Sequence, residues 1–325
     1  MTSQLRPLSL GEILDRTAEL YRNNFLLFAG ISAIFSGALL LTQLVHLGML
    51  AAIGYPIVPP GFQWVVASAV VVEVLVVLLL AGLSIVANNR AVAWVHLGQP
   101  ATIRDATRST LPHLRRYLWL MTVTSFRAWA PLAALYVVMF AILFSILPKG
   151  WLTNPSVLQH MQNVNPASLV AAGIGLLVIV PLFFLALIYG VLMSLRYSLA
   201  MPACVVEELT AAQSIKRSIQ LSKGARGRIF VLGLLVYAVR LLLGILLGFP
   251  FIALAIKHPG QPLPLGWLTM QQVAGFVVKT LIGPIYATGL TLFYYDQRIR
   301  NEGFDIEWMM RSAGLASEVA APTPE

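Results

Sequence analysis

Trp64-Val-Val-Ala-Ser-Ala-Val-Val-Val-Glu73-Val-Leu-Val-Val-Leu-Leu-Leu-Ala-Gly-Leu-Ser-Ile-Val-Ala87 places a single charge among 24 residues. As a helix rising ~1.5 Å per residue it is longer than a bilayer core of ~30 Å. Five more apolar stretches flank it: about Phe25–Ile53, Tyr117–Leu147, Leu169–Leu195, Ile229–Ile256 and Val273–Tyr295. Each reaches the ~20 residues that a transmembrane helix needs. The stretch at Tyr117–Leu147 exceeds that length and must tilt, kink or run partly along the interface. Pro131, Pro181, Pro250 and Pro284 sit inside or near the ends of the last four. Each removes a helix hydrogen bond and invites a kink.

Composition agrees. Of 325 residues, 58% are apolar and 11% charged, where a soluble domain carries about a quarter charged residues. No polar segment is long enough to hold a core of its own. The expected fold is therefore all-α: a polytopic membrane bundle of six transmembrane helices. The first apolar run begins only at Phe25, after acids and bases, and reads as an uncleaved span rather than a signal peptide.

The net charge of +9 would raise nucleic-acid binding in a soluble protein. Here the bases collect where cytoplasmic loops collect them, so no nucleic-acid partner is expected. Arg6, Arg16 and Arg22 precede the first span. Arg90 to Arg116 follow the second, Arg196 to Arg228 follow the fourth, and Arg298, Arg300 and Arg311 follow the sixth. The other side holds only Lys149 and Lys257, with prolines and the boundary tryptophans Trp64, Trp151 and Trp267. This asymmetry predicts that both termini are cytoplasmic.

The odd-numbered spans share a preface. Ser9-Leu-Gly-Glu12, Thr102-Ile-Arg-Asp105 and Thr210-Ala-Ala-Gln213 each set a hydroxyl residue three places before Glu, Asp or Gln, a capping box or a near variant. Arg16-Thr17, Arg108-Ser109 and Arg217-Ser218 follow at equivalent places. The chain thus reads as one membrane domain, residues 1–311. It holds three repeats, about 8–98, 99–207 and 208–311, each an amphipathic cytoplasmic helix plus a transmembrane hairpin. In the first such helix Leu10, Ile13, Leu14, Thr17, Leu20 and Tyr21 share one face; it can lie in the interface or pack beneath the bundle. Asp305 to Arg311 reads as a fourth amphipathic segment, and residues 312–325, rich in Ala, Pro and Glu, read as a disordered tail.

These segments also resemble a family. Pro7-Leu-Ser-Leu-Gly-Glu-Ile-Leu-Asp15 is similar to the start of the membrane domain fused to some bacterial glycerophosphoryl diester phosphodiesterases. Met201-Pro-Ala-Cys-Val-Val-Glu207, continuing to Ile215-Lys-Arg-Ser-Ile-Gln-Leu-Ser-Lys-Gly224, resembles its central motif. Phe293-Tyr-Tyr-Asp-Gln-Arg-Ile-Arg-Asn-Glu-Gly-Phe-Asp305 resembles its closing signature. The resemblance implies a six-span bundle of the bacterial inner membrane. In the fused proteins the phosphodiesterase activity belongs to a separate barrel domain. This chain lacks that barrel and its His-Arg-Gly type signature, so it is not expected to be an enzyme.

Charges inside spans are costly and mark candidate sites. Glu73 falls roughly 14 Å from the outer face, and Arg127 and Arg240 roughly 15 to 17 Å from the inner face, near one level; Lys279 lies nearer the outside. Two readings are open. The four line a midplane site whose surplus positive charge attracts an anionic substrate or headgroup. Alternatively, Glu73 pairs with an arginine to fix the packing while the other bases snorkel. Arg16, Arg108 and Arg217 either form a surface for anionic lipids or cap neighbouring helices. Gly244-Ile-Leu-Leu-Gly248 matches a small-residue packing motif and is expected to pack within the chain. His46, His96, His113, His160 and His258 are expected at interfaces or in loops. With one cysteine, Cys204, and no metal-ligand spacing, neither a metal nor a cofactor is expected. The leading function is a scaffold or accessory protein that binds membrane lipids or a partner protein. The alternative is a transporter or lipid translocator built on the midplane charges.

Overall fold

The computed structural model describes residues 6–55, 61–146, 166–257, 263–304, 306 and 310. Within these the chain is helical, with no strand. Helix α1 spans Leu10–Asn23, α2 Phe25–Ile53, α3 Gln63–His96, α4 Ile103–Arg108, α5 Leu114–Ile146 and α6 Pro166–Tyr197. Helix α7 spans Ala200–Val206, α8 Ala211–Leu221, α9 Arg226–Lys257 and α10 Leu265–Glu302. Helices α2, α3, α5, α6, α9 and α10 are the six that are long and apolar enough to cross a membrane. The protein is a multi-pass membrane protein. Lys149, Trp151, His160, His258, the loop prolines from Pro56 to Pro60, Pro148, Pro155, Pro259, Pro262 and the tail from residue 311 lie outside the described residues.

The three prefaces become three capped helices. At α1 the Ser9 Oγ accepts the Glu12 amide at 3.3 Å, and the Glu12 carboxylate accepts the Ser9 amide at 2.7 Å. Thr210 and Gln213 repeat this reciprocal box at α8. At α4 Thr102 accepts the Asp105 amide at 3.1 Å, but Asp105 turns back only to the Thr102 hydroxyl, at 2.6 Å. Its side chain is one methylene shorter than that of Glu. Each capped helix precedes a span, so the repeated order of elements is present. The copies are not identical: α4 is a six-residue stub, and α7 has no counterpart in the other two.

Amphipathicity decides where α1 goes. Ile13, Thr17 and Leu20 are buried, and Ile13 and Leu20 share a cluster with Phe293, Tyr294 and Tyr295 of α10. The helix lies beneath the bundle. Helix α10 is the central post, with every residue from Ala287 to Gln297 buried. Helices α2, α3 and α9 surround it. The α5–α6 hairpin packs on itself and meets the rest through α3, α7, α8 and α9. Its outer surfaces expose Val137, Phe140, Leu177 and Phe184, as expected where lipid is the solvent.

The glycine motif on α9 departs from expectation. A methyl group added at Gly244 or Gly248 would meet nothing within 4 Å. These residues face outward and do not pack within the chain. Close approach occurs instead at Gly190 of α6, where an added methyl would lie 2.8 Å from the Trp129 ring and 3.3 Å from the Ala128 carbonyl oxygen.

Candidate functional site

The three quoted motifs meet on the last turns of α10. The Leu8 amide donates to Asp296 Oδ1 at 2.8 Å, and Arg300 Nη2 donates to the Leu8 carbonyl at 2.7 Å. Arg300 Nε also donates to Asp296 Oδ2 at 3.0 Å, and Arg228 approaches the same oxygen at 3.4 Å. A second knot ties the central motif in. Arg217 Nε donates to Glu207 Oε1 at 2.9 Å, and its Nη2 to Glu302 Oε2 at 2.7 Å. Tyr294 donates to Glu207, and Arg298 Nε to Glu302 at 3.2 Å. Burial disfavours the Arg217 charge, but the bonds to Glu302 and Glu207 outweigh it and raise the guanidinium pKa. Acids and bases satisfy each other throughout this hub, which is the pattern of a structural clamp.

The three repeat arginines therefore part company. Arg217 is committed to the hub. Arg16 Nη1 donates to Glu19 Oε2 at 2.6 Å. Arg108 alone of the three is exposed and, among the described residues, without an ion pair. They do not form one equivalent lipid-facing set, because the helices that carry them pack differently.

The intramembrane charges also sort differently from the depth estimate. Glu73 pairs with His46 of α2, with side chains 22% and 15% exposed. Among the described residues no arginine pairs with it, and His46 lies on the α2 span. Counting along a helix gives depth but not the direction a side chain faces. Arg127 is exposed on α5; the Tyr189 hydroxyl reaches its carbonyl at 3.4 Å.

Arg240 and Lys279 do come together. Helices α2, α3, α9 and α10 leave between them a groove of about 440 Å³, lined by both cations. Lys279 feels the charges of Arg240 and Glu73, yet neither base makes an ion pair among the described residues. Leu39, Val77, Leu80 and Ile282 supply apolar wall. Ser32, Ser36 and Ser84 supply a polar stripe. Ser36 Oγ lies 2.7 Å from Thr280 Oγ1, and Asn88 Nδ2 donates to Ser32 Oγ at 3.1 Å. Sequence reading passed over these hydroxyls. Their signal was present in the i, i+4 pairs Ser32/Ser36 and Ser84/Asn88, polar residues on one face of a span.

The groove lining has no carboxylate, histidine or cysteine. Among the described residues no group of three His, Cys, Asp or Glu side chains is placed to hold a metal. Cys204 is buried in α7, its thiol 3.4 Å from the Leu209 carbonyl. What the groove can do is hold an elongated apolar body and neutralise a negative charge at the depth of Arg240 and Lys279. No protein family, curated protein or solved structure matches this chain.

Proposed function

We propose that this chain is a non-catalytic lipid-binding protein of the bacterial inner membrane, its groove holding an anionic amphiphile. One observation carries this reading: two cations that make no ion pair among the described residues lie within membrane-spanning helices, at the edge of an apolar groove. Charges so placed are costly unless something pairs with them. A phosphate or carboxylate head would do so while its acyl chain lies along Leu39, Val77 and Leu80. This agrees with an accessory or scaffold protein that works through bound lipid, alone or with a membrane partner. Movement of the lipid between leaflets is a second reading, favoured by the depth of the cations and by Pro250 and Pro284 in the helices that carry them.

The motif resemblance supports placing the chain with the membrane domains of the phosphodiesterase family. The basic connectors support a cytoplasmic position for both termini. In a Cys204→Ala background, Gln99→Cys would then react with an impermeant maleimide only from the cytoplasmic side.

The test of the groove uses purified protein in mild detergent, with phosphatidylglycerol adducts counted by native mass spectrometry. Arg240→Gln with Lys279→Gln should cut adduct occupancy about tenfold, from the loss of charge-assisted bonds. Arg127→Gln should leave it unchanged. Equal occupancy in the double variant and the parent would refute the reading.

A further inference from the structure

A second cavity, of about 450 Å³, lies away from the groove, between α1, the last turn of α3 and the last turns of α10. Tyr295 and His96 line it. Tyr295 is 1% exposed, and among the described residues its hydroxyl has no hydrogen-bond partner; nor has the buried Nδ1 of His96. The two rings sit 4.9 Å apart. Buried polar atoms are almost always satisfied, so two neighbouring ones left over mark a place where something else supplies the bonds.

The charges around the cavity define what that is. Arg6 pairs with Glu12, and Arg16 with Glu19. Asp296 is taken up by Leu8, Arg228 and Arg300. Asp15 is the remaining carboxylate of the lining and makes no ion pair among the described residues. The unmet capacity is therefore one carboxylate, one phenolic oxygen and one imidazole nitrogen. All three can accept, the imidazole in its Nε2–H tautomer. Of the residues that line the cavity four are acids and two are arginines, Arg6 and Arg16, both already paired, so an anion is disfavoured.

We propose that this cavity binds a primary ammonium group, whose three N–H donors answer these three acceptors. Helix α1 lies outside the spans, and His96 ends one of them, so the cavity opens at the level of a membrane surface. The group can come from an aminophospholipid headgroup or from a free amine. The site does not depend on the groove or on Arg240 and Lys279.

N-Methylation provides the test, because a trimethylammonium has no N–H to donate. The full chain is placed in nanodiscs, and retention of phosphatidylethanolamine against phosphatidylcholine is compared by native mass spectrometry. The expectation is about a tenfold preference for phosphatidylethanolamine, reduced severalfold by Asp15→Asn and by Tyr295→Phe. Asp15 is exposed on α1, so its variant probes binding without threatening the fold. In phosphatidylcholine nanodiscs, a rise in thermal midpoint with millimolar ethanolamine, absent in Asp15→Asn, identifies a free amine as a source. A lipid preference without that rise identifies the headgroup. Either supports the proposal. It is overturned if the two lipids are retained equally and ethanolamine has no effect, or if Asp15→Asn keeps the full preference.

Discussion

Leu8 and Asp296 meet across 288 residues of chain, the Leu8 amide donating to Oδ1 at 2.8 Å. The Asp296 side chain has no exposure, while Arg228 and Arg300, its cationic partners, keep 30% and 36%. One carboxylate thus fixes the segment before α1, the start of α9 and the end of α10. Asp296→Asn would preserve shape and remove the anion that both arginines face. Removing one partner of a buried pair costs about 3 kcal/mol or more. Partial exposure of the arginines lowers the expected loss to about 2 kcal/mol, read from unfolding in mixed micelles. A change under about 0.5 kcal/mol would show that solvent already screens the cluster.

Arg217 and Arg108 hold equivalent sequence positions and should respond oppositely. Arg217 divides one guanidinium between Glu207 and Glu302, a fork that lysine cannot reproduce. Arg217→Lys should lose about 1 to 2 kcal/mol of stability. Arg108→Lys should fall within about 0.5 kcal/mol of the parent, as exposed positions do. Similar losses for the two variants would restore the equivalence that the repeat suggested.

That contrast shows which features the sequence made legible. Helix α2 runs from Phe25 to Ile53, the limits its apolar run predicts, because the cost of exposing backbone to lipid acts on each segment alone. Ser9, Thr102 and Thr210 were readable as caps for the same reason: a cap is made by residues three apart. Partnerships between helices were not readable in this way. Arg127 and Arg240 occupy matching places in two repeats, yet α9 packs on α10 while α5 packs on α6. The first of these settings borders the groove. The His46–Glu73 pair was missed because Glu73 was placed by depth, which leaves rotation about the helix axis undetermined, and His46 was assigned to an interface or loop. The hub on α10 was foreshadowed only as three separate motifs.

The α1 cap carries a titration. Glu12 has its pKa lowered to about 2, first by the hydrogen bond from the Ser9 amide and then by Arg6. An acid with a depressed folded pKa lends its full support above its unfolded value, about 4.5. That support is lost as pH falls toward about 2. Carboxyl carbon shifts of labelled Glu in micelles should show Glu12 still ionised at pH 3.5, and Arg6→Gln should move its midpoint upward. A parent midpoint near 4.5 would mean that the box does not persist in solution.

Gly190 and Gly244 provide paired probes of the membrane-embedded surface. Both are helical glycines in spans, so replacement by valine carries a similar propensity term at each. Their surroundings differ. At Gly190 the first added carbon would already press on Trp129 and the Ala128 carbonyl, and the α5–α6 hairpin would have to open. Overpacking of this kind costs about 1 to 3 kcal/mol. At Gly244 the space is open, so Gly244→Val should leave the monomer's unfolding midpoint where it is. A crosslinking or light-scattering measurement adds a second readout at that position. If Gly244→Val weakened self-association while sparing monomer stability, its open face would be a contact between copies. If Gly190→Val proved as harmless as Gly244→Val, the hairpin seam would be looser than the Trp129 contact implies.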